Sequence, residues 1–278
     1  MTIRHGVEGV LARTILTLLF AGTIAAQEQN LTYTVGPKAV ISIMNGCGPI
    51  TVRAAGNGKV VVTTVSRSDA VSLVNEQRGN RIQIKATPIR QGRNLVEYTV
   101  LVPRDAVVIL RSVDGTLQAQ GLTGDLIMEA SSGAVGVTGL ANAHIRVRTL
   151  SGPINLTDIR EGHLDVLSVS GNVRLQSVVG SSVAVHSGSG WISYEGDPGT
   201  TGEYVLTTHS GDLELSIPAN ALVDIKARSV KGESDKGFPS GAVSPGAGQG
   251  NRLLRGGIVS TSRFVLRSFT GKIRLKRP

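Results

Sequence analysis

Six glycines mark out the middle of this chain: Gly115, Gly133, Gly152, Gly171, Gly190 and Gly211, spaced by 18, 19, 19, 19 and 21 residues. Self-similarity at such a period outranks any single motif in deciding what a chain can fold into. Two and four residues after each glycine stand apolar residues: Leu117 and Ala119, Val135 and Val137, Ile154 and Leu156, Val173 and Leu175, Ile192 and Tyr194, Leu213 and Leu215. Seven and five residues before it stand Val108 and Leu110, Leu126 and Met128, Ile145 and Val147, Leu164 and Val166, Val183 and Val185, Tyr204 and Leu206. Every pair has the period of two that buries one face of a strand.

The residue before each glycine is Asp114, Ser132, Ser151, Ser170, Ser189 or Ser210. Ser-Gly reads as a corner, because glycine takes backbone conformations that a Cβ resists and serine can bond its local backbone. A second corner follows at Gly124, Gly139, Gly162, Gly180 and Gly202. One unit is therefore strand, corner, strand, corner in about 19 residues. The pattern returns around Gly48 (Ile41, Ile43, Ile50, Val52) and Gly271 (Phe264, Leu266, Ile273, Leu275). It is echoed by Pro103 before Val108 and Leu110, and by Pro218 before Val223 and Ile225.

One such unit buries too little apolar surface to offset the entropy of ordering it, so units must stack into a continuous core. The fold expected is all-β, a parallel β-solenoid of about 19-residue repeats, with an antiparallel sandwich as the alternative. Residues 27–110 are less regular. Their strand-like runs at Val60–Val65, Arg81–Lys85 and Glu97–Val102 suit an N-terminal cap or degenerate coils. Ser68–Glu76 is the one weakly helix-like stretch. The regular solenoid is placed at 111–278, with a flexible insertion at 233–250, rich in Gly, Pro and Ser, between the last turns.

At the N-terminus, Arg4 and Arg13 precede the apolar run Thr14–Ala26, which ends in small residues. That order is the order of a secretory signal peptide, and the run is too short to span a bilayer. Residues 1–26 are expected to be removed, leaving a mature chain with no transmembrane helix, in the periplasm, the cell envelope or outside the cell. Cys47 is the only cysteine, so no intrachain disulfide forms, and the thiol is expected to be buried and inert. The formal charge is +9, and +8 once Arg4, Arg13 and Glu8 are gone. Such a balance favours anionic partners: lipid headgroups, acidic polysaccharide or nucleic acid.

Chemistry is sparse. No His-Glu-x-x-His, Gly-x-Ser-x-Gly, phosphate loop or cysteine cluster is present. His5 leaves with the signal peptide. His186 is expected in solvent and His209 in a partly buried corner, so the two do not share a rung. Asp165 and Asp212 stand at unlike positions of their repeats, which argues against the aligned acids of a polysaccharide-cleaving solenoid. No catalytic residue, metal or cofactor is expected. Two binding candidates remain. Trp191, with Tyr194 and Tyr204 near it, sits one residue after its glycine, an outward position from which an indole could stack on a sugar. The other is a partly basic ladder four residues before each glycine, including Arg148, Arg228 and Arg267, continued by Lys272, Arg274, Lys276 and Arg277 in the tail. With aromatics at 3%, a sequence-reading nucleic-acid module is not expected.

The segments Thr149-Leu150-Ser151-Gly152-Pro153-Ile154-Asn155-Leu156, His209-Ser210-Gly211-Asp212-Leu213-Glu214-Leu215 and Ser268-Phe269-Thr270-Gly271-Lys272-Ile273-Arg274-Leu275 resemble the repeat of the bacterial candidate-adhesin family of exported β-strand repeats. The resemblance spans roughly 40–278. It implies a solenoid at or beyond the cell envelope, in a family of largely uncharacterised function. The expectation is a noncatalytic envelope or secreted protein that binds an anionic envelope polymer, a glycan or another protein. The alternatives are a carbohydrate-active solenoid enzyme and a structural envelope-stress component. The sequence leaves the ligand, the coil handedness and the oligomeric state open.

Overall fold

The computed structural model describes residues 27–56, 58–66, 71–88, 95–233 and 261–276. The expected signal peptide, His5, Arg277 and all of the expected insertion but residue 233 lie outside these residues.

All regular structure among the described residues is β, in one 20-stranded sheet. The first strands are β1 (Gln27–Thr34), β2 (Val40–Cys47), β3 (Ile50–Ala55), β4 (Lys59–Ser66), β5 (Val71–Arg78), β6 (Arg81–Pro88) and β7 (Val96–Pro103). The middle holds β8 (Val107–Asp114), β9 (Leu117–Gln120), β10 (Leu126–Ala130), β11 (Val135–Ala141), β12 (His144–Thr149), β13 (Ile154–Ser168) and β14 (Val173–Ser187). The last are β15 (Ile192–Glu195), β16 (Glu203–Thr208), β17 (Leu213–Ser216), β18 (Val223–Ser229), β19 (Ser262–Ser268) and β20 (Ile273–Lys276).

The alternating patterns become two long parallel ladders, giving a β-solenoid-like body. On one face Val108, Leu126, Ile145, Leu164, Val183 and Tyr204 pair in succession, all buried. On the other, Leu117, Val135, Ile154, Val173, Ile192 and Leu213 do the same. These side chains and their period-two neighbours make one continuous apolar interior.

Both ends stack out of chain order. At the N-terminal end Ile41 lies between Val108 and Ile82, so the β2–β3 coil is covered by β6 and β7, which come later. At the C-terminal end Phe264 lies between Tyr204 and Ile225, so β19 separates β16 from the earlier β18. Three antiparallel pairings, β1–β4, β4–β7 and β5–β6, extend the N-terminal end. The less regular region is thus part coil and part antiparallel cover, a device that protects open strand edges. The boundary drawn after residue 110 falls inside β8. The stretch read as weakly helical contains β5 from Val71 onward, because pairing with β6 outweighs a weak local preference. Pro103 and Pro218 accept the same turn hydrogen bond, from Ala106 and Ala221 at 3.1 Å each. Ile225 rather than Val223 then falls in the Val108 ladder.

The repeated glycines form a column, and their reason differs from the expected one. Only Gly48 has a positive φ, 109°. A Cβ on Gly115, Gly133, Gly152, Gly171, Gly190, Gly211 or Gly271 would collide with the carbonyl oxygen of the column glycine on the adjacent rung. Gly232 meets Gly271 in the same way. Close approach, not turn conformation, excludes a side chain there. The serines just before these glycines are exposed. The buried partners stand three residues before: Thr149 Oγ1 accepts from the Gly152 amide at 3.0 Å, and the Ser168 hydroxyl donates to the Gly171 carbonyl at 2.7 Å. Ser268 accepts from Gly271 at 2.9 Å and donates to Gly211 at 3.3 Å. Asn45, Ser112, Ser187, Thr208 and Ser229 fill the same column, with Ala130 its apolar member.

Candidate functional site

Past the glycine corner, each coil turns onto β9, β11 and their successors. The outward residues of the last four rungs there line a groove of about 740 Å³. Its first column is Asn172, Trp191 and Asp212, set by hydrogen bonds from Val173 to Trp191 and Ile192 to Asp212, and Lys272 continues this column on the last rung, outside the lining. Its second is Arg174, Ser193, Glu214 and Arg274, and its third ends in Glu195, Ser216 and Lys276. The period of two sends these side chains outward because Ile192, Tyr194, Leu213 and Leu215 go inward.

Trp191 is half-buried. Its amide donates to Asn172 Oδ1 at 3.1 Å, and the Arg174 guanidinium lies 5.5 Å from the centre of its ring. The tail cations are held by carboxylates: Arg274 by Asp212 at 3.1 Å, Lys276 by Glu214 at 2.8 Å, and Lys272 by Glu233 at 3.0 Å. Arg174, Arg274 and Lys276 are matched in number by Glu195, Asp212 and Glu214, so the groove is charge-balanced. It pairs an aromatic platform with many hydrogen-bonding groups.

Of the residues expected to contact a ligand, the structure brings Trp191 and Arg274 together in the groove, while Lys272 lies outside its lining and pairs with Glu233. Tyr194 is corrected: it is fully buried, its hydroxyl donating to the Val178 carbonyl at 2.8 Å. It packs with Tyr204 and Phe264, ring centres 5.3 and 5.2 Å away, in the core. Burial, foremost, drives its hydroxyl pKa well above the ordinary tyrosine value. Arg148, Arg228 and Arg267 are exposed on the other face, before the corner. Arg228 and Arg267 are paired in register and line a separate depression with Lys226 and Arg263. Arg148 stands between Glu129 and Leu167.

Three smaller expectations also change. His209 is exposed and stacks on Phe269, ring centres 5.0 Å apart. Cys47 is only half-buried. His144 and His163, not weighed as a pair, are register partners with ring centres 4.8 Å apart. Their equal place eight residues before Gly152 and Gly171 was the signal for it. Among the described residues, no group of three or more His, Cys, Asp or Glu could hold a metal ion.

The geometry defines an all-β, solenoid-like protein with an outward groove on its parallel rungs. The family model described as Toastrack DUF4097 matches residues 39–244, and the chain belongs to that family. Among solved structures, a candidate adhesin from Bacteroides fragilis has the same fold: 11% identity, 90% of this chain and 97% of that chain covered, TM-score 0.50. A candidate lipid-binding protein from Parabacteroides distasonis is 14% identical over 88% of this chain and 96% of that one, with a TM-score of 0.47. A candidate cell-adhesion protein from Clostridium sporogenes is 12% identical over 91% and 100%, with a TM-score of 0.29. No curated protein matches the chain.

Proposed function

We propose that this protein is a noncatalytic, exported β-solenoid of about 19-residue coils, in the cell envelope or secreted, that holds a glycan in the groove around Trp191. The observation that carries the reading is the half-buried Trp191, fixed by Asn172 and backed by Arg174, beside hydroxyl-rich and charge-balanced rungs. An indole face with flanking polar groups suits a sugar ring. The ion pairs that hold Arg274 and Lys276 favour a neutral or zwitterionic glycan over the polyanion expected from net charge. Asp212 and Glu214 are occupied as partners of those cations, which supports binding rather than acid-base chemistry. The candidate-adhesin description of the Bacteroides structure agrees with this class of role at the level of fold.

Trp191 is the only tryptophan, so its fluorescence reports on the groove directly. Titration of the purified protein with neutral, zwitterionic and acidic envelope oligosaccharides should give a saturable, salt-resistant change with one of the first two. Calorimetry on Trp191→Ala should show that binding lost. Retention of glycan binding by Trp191→Ala, or weak binding of every polyanion that vanishes in salt, overturns the proposal.

A further inference from the structure

We propose that one corner of the solenoid is a docking edge for an anionic lipid bilayer. Ten large apolar residues are exposed among the described residues, and seven lie within four residues before a column glycine: Met44, Val113, Leu150, Leu167, Val169, Val230 and Phe269. Val113, Leu150, Val169 and Val230 share the position two before the glycine and are 59%, 57%, 55% and 57% exposed. Backbone bonds carry this position from rung to rung: Ser132 to Val113, Ser151 to Ser131, Ser170 to Leu150, Ser189 to Val169 and Lys231 to Phe269. From Gly46 to Val230 the column crosses nine rungs, roughly 40 Å at the usual strand spacing, and five of the nine positions are apolar, the others being Gly46, Ser131, Gly188 and His209. Scattered exposed apolar residues need no explanation; a line of them along one edge marks a surface that meets something.

The charge around the line says what it meets. Arg111 is tied to Glu129 at 2.7 Å, whereas Arg148, Arg228, Arg267 and Lys231 have no ion pair among the described residues. Asp114 and Glu129 are the only carboxylates in the flanking columns. The remaining neighbours one residue before the glycines are mostly serine and threonine. Protruding apolar side chains, rimmed by hydroxyls and unpaired cations, match the interface of an anionic membrane. The edge is an outer corner, which suits a flat surface. A depression of about 570 Å³ runs along the same edge, with Met44, Val113, Leu150, Leu167 and Val169 in its lining.

This edge is separate from the Trp191 groove, and its test is separate too. The full-length protein is co-sedimented with vesicles of phosphatidylcholine alone and mixed with phosphatidylglycerol. Binding is expected to the mixed vesicles. It should fall about tenfold or more in the double variant Leu150→Ser/Val169→Ser, and likewise in Arg148→Glu/Arg267→Glu, while Trp191→Ala binds as before. Serine already occupies the column at Ser131, so the double variant should melt like the parent. Absence of binding to mixed vesicles, or undiminished binding by the Leu150→Ser/Val169→Ser protein, refutes the assignment. So does a concentration-dependent dimer in sedimentation velocity that disappears in that variant, since a second copy would then cover the edge.

Discussion

A Cβ on Gly152 would run into the carbonyl oxygen of Gly133 on the rung below, and the same contact recurs along the column from Gly115 to Gly271. The corner strands approach too closely for any side chain. Gly152→Ala should therefore destabilise the protein by about 1–3 kcal/mol, as overpacking does in a tight interior. Gly136, in β11, has ordinary φ, and its nearest prospective neighbour is Gln118 Cγ at 3.8 Å. Gly136→Ala should be neutral or stabilising by up to about 1 kcal/mol. Urea unfolding of the two variants distinguishes a packing constraint from a general glycine requirement.

The two serines of one corner should behave oppositely. The buried Ser168 hydroxyl donates to the Gly171 carbonyl at 2.7 Å, so Ser168→Ala should cost about 1–2 kcal/mol. Ser170 bonds the Leu150 carbonyl at 3.1 Å from an exposed position, and Ser170→Ala should stay within about 0.5 kcal/mol. The reverse order in thermal melts would show that the serine adjacent to glycine is the structural one.

Arg228 and Arg267 face each other across a parallel ladder in solvent. Like charges directly opposite repel, so Arg228→Glu should stabilise the fold by about 0.2–1 kcal/mol, and high salt should shrink the gain. A gain that persists in high salt would point to a cause other than charge.

Alkali should destabilise the fold in part through Tyr98. This side chain is buried, its hydroxyl has no hydrogen-bond partner among the described residues, and burial pushes its pKa up to about 12. The unfolded chain gives up this proton near pH 10, before the folded one. The stability Tyr98 contributes is thus whole below pH 10 and drains away as pH rises towards 12. Tyr98→Phe should leave the melting temperature at neutral pH unchanged and make its decline above pH 10 shallower. Tyr194 and Tyr204, also shifted upward by burial, keep the decline from vanishing. Equal slopes in parent and variant would contradict the assignment.

The inward and outward face of almost every strand was legible, because period-two alternation is a local consequence of the pleat. Val108, Leu126 and Ile145 needed only their spacing to be read as one ladder. The hydroxyl column is legible too, at Ser112, Thr149, Ser168, Ser187, Thr208 and Ser268, two residues before the position at which more conspicuous, exposed serines precede five of the glycines. The candidate site was half visible. Trp191 is placed outward by its offset from Gly190, whereas the offset of Tyr194 is that of Leu175, its buried partner on the adjacent rung.

By itself the sequence determined an all-β stack with glycine corners and an apolar interior, since each rung carries its own pattern of burial. Only the tertiary structure decided which rung lies on which. Phe264 sits between Tyr204 and Ile225, and Ile41 between Ile82 and Val108, because alternation specifies a side chain's face and leaves its partner strand free. That ordering sets Arg274 against Asp212 and places Phe269 between the rungs of His209 and Val230 on one edge. Contacts between residues as far apart as 67 positions, as for Lys38 and Asp105, arise from stacking, which no local periodicity encodes.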